Sequence, residues 1–102
     1  MKYQLVLQFP ATSQSDFERL VALEQRLERE SGDSSNVDGH DFGSGEFNIF
    51  VLTDDPMTAF EKAIAITKSE ALNYDMRVAY RELSGENFVI LWPPDLAEFT
   101  VS

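Results

Sequence analysis

Cysteine is absent from the 102 residues, which removes disulfides, thiolate nucleophiles and cysteine-ligated zinc together. Histidine occurs once, at His40, so a shell of several imidazoles around a transition metal cannot be assembled. Long apolar runs are missing too: "NIFVL" and "FVILW" stop after about five residues, against the roughly 18 to 20 that cross a bilayer. The opening "MKYQLVLQFP" carries one lysine and an alternating pattern, and so reads as a strand and not as a secretory leader. These absences make the cytoplasm the expected location and call for no cofactor. Disorder is not expected, because 43% apolar and 12% aromatic residues can bury enough surface to offset the entropy of folding. The length suits one domain, with residues 93–102 as a C-terminal tail.

Basic residues are the other scarcity. Eight lysines and arginines face eighteen acids, a net charge of −10, and the deficit is local. Glu30 to Glu61 holds eight acids and no lysine or arginine, whereas the flanking segments are close to balance. Such a field repels phosphate, which disfavours nucleic acids and anionic membranes and favours a basic protein partner or a divalent cation. The competing reading is that acidic excess keeps a small protein soluble.

What is present reads as β-α-β-β-α-β-β. In "KYQLVLQF", Tyr3, Leu5, Leu7 and Phe9 alternate with Lys2, Gln4, Val6 and Gln8, a strand with one face buried. Ser15 with Glu18 three residues later is the expected capping box of a helix over 16–31, whose apolar stripe is Phe17, Leu20, Val21, Leu23 and Leu27, with Gly32 as the stop. Two strands are expected around a Gly43-Ser44-Gly45 turn, the second over Phe47 to Thr53. Asp54 and Asp55 before Pro56 predict an acid-capped helix reaching about Leu72. "MRVAYREL" and "NFVILW" complete the strands, and Pro93-Pro94 separates the tail. The order predicts an α+β two-layer sandwich, ferredoxin-like, with an added C-terminal strand and both helices on one face of an antiparallel sheet. Strands 1 and 3 would be central, strand 4 beside strand 1, and strand 5 at that edge.

Several residues invite chemistry. Ser34, Asn36, Asp38 and Gly39 fall at calcium-loop positions, but the twelfth position is Gly45 instead of glutamate and a strand follows where a helix is required. A metal could use His40 with Asp38, Asp41 or Glu46; in unbroken strand geometry Asp38 and His40 would share a face. The competing reading is a surface histidine among carboxylates. Gly43-Ser44-Gly45 lacks the following helix that a phosphate loop needs, and Ser44 near His40 has no geometry that would make a triad. On the sheet, Met76, Val78 and Tyr80 oppose Arg77, Ala79 and Arg81, while Phe88, Ile90 and Trp92 oppose Val89 and Leu91. Two helices cover one face only. The other either mediates association, as a homodimer or with another protein, or is covered by the tail from Leu96 to Val101.

Gly39-His40-Asp41, Gly43-Ser44-Gly45-Glu46, Asn48-Ile49-Phe50 and Asp54-Asp55-Pro56 together resemble a pattern of small bacterial single-domain proteins. The resemblance implies a bacterial, single-domain protein and carries no activity. Immunity proteins, which neutralise basic toxins through acidic surfaces, are similar in charge and size. The leading expectation is therefore a non-enzymatic, acidic protein-interaction domain, an inhibitor or immunity-type partner of a basic protein, with Asp33, Asp38, His40, Asp41, Glu46 and Trp92 as contact candidates. The alternative is a small-molecule or metal-dependent enzyme built on Asp38, His40 and Glu46.

Overall fold

A computed structural model describes residues 1–32, 35–73 and 75–101. Its elements are β1 (Tyr3–Pro10), α1 (Gln14–Glu30), β2 (Ser35–Gly43), β3 (Glu46–Thr53), α2 (Pro56–Ser69), β4 (Arg77–Glu82) and β5 (Val89–Trp92). The fold is α+β: one antiparallel sheet in the order β2-β3-β1-β4-β5 and two helices. α1 connects β1 to β2 across the position of β3, and α2 connects β3 to β4 across that of β1. β1 is thus flanked on both sides, by β3 (Leu7 opposite Ile49) and by β4 (Leu7 opposite Val78).

The alternation of β1 decides the layers. Leu5, Leu7 and Phe9, with Phe47, Ile49 and Val51 of β3 and Met76 and Val78 near β4, pack against Leu20, Leu23 and Leu27 of α1 and Ala59, Ala63 and Ile66 of α2. Each large apolar side chain buried here is worth about 1.5 to 3 kcal/mol relative to exposure. No helix among the described residues is long and apolar enough to cross a membrane.

The helix starts use the expected chemistry, in one case at a different residue. α1 is capped by Ser13 and not by Ser15: the Asp16 amide donates to Ser13 Oγ at 3.1 Å, and Asp16 Oδ2 accepts from the Thr12 amide at 3.1 Å. Ser13 and Asp16 therefore form the reciprocal pair two residues earlier than Ser15 and Glu18, satisfying free amides and adding part of a turn. The helix ends at Glu30, with Ser31 in extended geometry and its hydroxyl donating to the Leu27 carbonyl, so termination falls before Gly32. Asp55 caps α2, accepting from the Thr58 amide and hydroxyl, with Pro56 in the first turn. α2 stops at Ser69, short of Leu72, because Ala71 turns left-handed (φ 56°) while Leu72 and Ala71 donate back to the Thr67 and Lys68 carbonyls. Arg26 ties the two helix ends together, donating to Glu30 and Glu70 at 2.6 Å each and to Ser69 Oγ at 2.8 Å.

Candidate interaction surface around His40

The β2–β3 hairpin closes through Ser44 and Gly45, both at positive φ (55° and 76°), as a two-residue turn whose twist matches the strands; Gly43 belongs to β2 and pairs with Glu46. The Gly45 carbonyl accepts from the Ala11 amide at 2.9 Å, fastening the turn to the end of β1.

β2 is not a regular strand. Val37 sits opposite Val51 and Gly39 opposite Phe50, leaving Asp38 as an extra residue in a bulge. Gly39 takes φ 118°, a conformation open to glycine and strained for other residues. The bulge reverses the side-chain alternation beyond it: His40 lies opposite Ile49 and Phe42 opposite Phe47, on the helix side. The expectation that Asp38 and His40 converge fails for this reason, since a period-two reading has no place for the inserted residue.

His40 turns instead to Glu24 of α1, with Nδ1 2.8 Å from Glu24 Oε1. Glu24 is only 9% exposed. The imidazole stacks on Phe47 (centroids 4.7 Å apart, planes at 17°), and Phe17 meets His40, Phe42 and Phe47 edge-on or tilted. A carboxylate taken out of water needs a strong donor, and a stacked, half-exposed imidazole supplies one. The pair locks the outer strand to the helix above it. Phe42, although part of this cluster, remains 46% exposed.

The other candidates are dispersed. Asp38 and Asp41 are exposed, Asp41 opposite Asn48 on the face away from the helices. Glu46 is half-buried at the hairpin end, opposite Pro10. Trp92 lies at the far edge strand, opposite Val78 and packed against the core, so it is separated from the β2 residues by the width of the sheet. Between Val78 and Ala79 the pairing with β5 also slips by one residue, which puts Trp92 and Ile90 on opposite faces although the sequence alternation placed them together. Asp33 lies outside the described residues, as does Ser34 of the calcium-loop comparison. Among the described residues no group of three or more metal-ligating side chains comes together. Asp54 accepts from the Lys2 amide at 3.2 Å and stands 4.0 Å from the terminal amine, a role separate from the cap made by Asp55.

Glu24 is the site residue that the sequence reading passed over. Its signal was present: it stands seven residues after Phe17 and four after Leu20, inside the apolar stripe, where a carboxylate requires a partner. The single histidine was the natural one to look for.

No protein-family model, curated protein or solved structure matches this chain. The surface must be read from its own chemistry.

Proposed function

We propose that the chain is a protein-interaction domain that presents the outer edge of β2, with its acidic rim, to a basic partner. The observation that carries this reading is an edge strand of nine residues, backed by Glu24–His40 and the phenylalanine cluster, that exposes the carboxylates of Asp38 and Asp41 and, on its helix side, leaves the ring of Phe42 46% exposed. Like charges along an edge strand steer a basic partner, and an exposed aromatic on the same strand adds contact area. An inhibitor of a basic protein, of the immunity type and acting in the cytoplasm, is the most concrete form of the proposal. We read the fold that carries this edge as ferredoxin-like with β5 added, a reading supported by the two split β-α-β connections.

The test compares capture from native extract by the wild-type chain and by Asp38→Lys/Asp41→Lys, at low and high salt. The same partner should be recovered by the wild type at low salt and reduced about tenfold or more by the charge reversal, with high salt having a similar effect. Equal recovery by both proteins would remove the acidic edge from the reading.

A further inference from the structure

The face of the sheet opposite the helices carries Gln4, Val6 and Gln8 of β1, Asn48, Phe50 and Leu52 of β3, Arg77, Ala79 and Arg81 of β4, and Ile90 of β5. No helix lies over it, yet Val6 and Ala79 are fully buried and Gln8 and Asn48 are only 3% and 2% exposed. The cover is the tail after β5. Gln8 Nε2 donates to the Thr100 carbonyl at 2.9 Å, and Phe99 meets Phe88 with centroids 5.0 Å apart.

Three features make this cover different from the core on the helix side. The tail adds no strand to the sheet. The contact beneath it is built on an amide pair, Gln8 Nε2 to Asn48 Oδ1 at 3.0 Å, where the opposite face uses aliphatic and aromatic side chains. Amides are expensive to leave unpaired in a permanent core but are satisfied by water whenever the cover leaves. Gln8 also holds the tail by a main-chain carbonyl, which any extended strand can offer. Finally, the charges are complementary: the tail carries Asp95 and Glu98 and no base, whereas β4 places Arg77 and Arg81 on the face. Arg81 is engaged by Gln4 and by loop carbonyls, but Arg77 makes no hydrogen bond or ion pair among the described residues. Arg77 and Gln8 also line an open cleft of about 640 Å³ with Trp92, Pro93 and the carboxylates of Glu46 and Asp75, adjoining the point where Gln8 grips the tail.

We propose that this face is a groove for an extended acidic strand, filled within one molecule by residues 94–101 and open to the same segment of a second copy. The groove is distinct from the β2 edge, so its fate does not depend on that of the acidic surface.

The probe is a synthetic peptide of residues 94–102 titrated into the isotope-labelled full chain and followed by nuclear magnetic resonance. The side-chain amides of Gln8 and Asn48 and the ring of Phe88 should shift progressively, while Asp38 and Asp41 stay in place. In the full-length Phe99→Ser variant the internal competitor is weakened, and the midpoint should fall by about tenfold or more. A peptide with lysine in place of Asp95 and Glu98 should need a correspondingly higher concentration. Absence of shifts in the wild type at millimolar peptide would overturn the groove, as would a Phe99→Ser chain that no longer folds, since the tail would then be part of the core. Equal binding of the lysine peptide would overturn the preference for an acidic strand.

Discussion

Replacing Gly39 by alanine should destabilise the fold by about 2 kcal/mol even though the new methyl group has open space around it. A Cβ built at Gly39 meets nothing within 4 Å, so neither packing nor collision enters the sum. The whole effect comes from φ 118°, where an L side chain meets its own backbone, a strain of order 1 to 3 kcal/mol. Gly43, in the same strand and also with nothing within 4 Å of its Cβ position, has no positive φ and serves as the control. Alanine there should be neutral or stabilising by up to about 1 kcal/mol, because it narrows the unfolded ensemble. Urea unfolding followed through Trp92, the only tryptophan, gives both values in one assay. A loss of 2 kcal/mol should lower the urea midpoint by about 1 to 2 M at an unchanged slope. If Gly39→Ala and Gly43→Ala shift the midpoint equally, the bulge is not held by glycine and the account of how His40 reaches Glu24 is wrong.

His40→Ala should cost about 2 kcal/mol, chiefly by leaving the buried Glu24 carboxylate without its donor; in a Glu24→Leu background the same substitution should cost less than about 1 kcal/mol, the residue of the Phe47 stack. Equal costs in the two backgrounds, measured by urea unfolding, would mean the pair is not coupled. The helix caps give a pH dependence. Hydrogen bonds from the Thr12 amide and from Ser13 hold the Asp16 carboxyl below its ordinary 3.8, and those from Thr58 do the same for Asp55. Depressed native values mean that their stabilisation is present above the ordinary value and is lost as pH falls through the native ones. Thermal midpoints should therefore drop below about pH 4, and less steeply in Asp16→Asn/Asp55→Asn, which keeps an acceptor at each cap. An unchanged slope in that variant would detach the caps from acid stability.

The parts of the fold that were legible in the sequence are those governed by a regular period. Leu5, Leu7 and Phe9 alternate, Leu20, Leu23 and Leu27 recur at helical spacing, and both patterns point to the layer in which these residues are buried. Turn and cap chemistry was legible to within two residues: Ser13 and Ser15 offer the same hydroxyl, and which one caps depends on whether Asp16 or Glu18 reaches back. The errors cluster in the two edge strands. One inserted residue, Asp38 in β2 and Leu91 in β5, shifts the phase of everything after it, and periodicity carries no mark of the insertion. Gly39 was the only local hint, since a glycine inside a strand often accompanies a bulge. The candidate site suffered most because it lies just past that shift. Its true partner, Glu24, is sixteen residues away on another element and could be found only by asking what a carboxylate was doing in an apolar stripe.

The central place of β1 has a consequence during synthesis. Leu5, Val6 and Leu7 are made before the strands that flank them, but β1 gains its second neighbour only when Glu82 stands opposite Tyr3, 79 residues later. At roughly 5 to 20 residues per second the strand waits several seconds with one side open. The central strand of the sheet therefore waits longest for its second neighbour, and a ribosome-associated chaperone would find an apolar binding stretch in Leu5, Val6 and Leu7 until β4 is made.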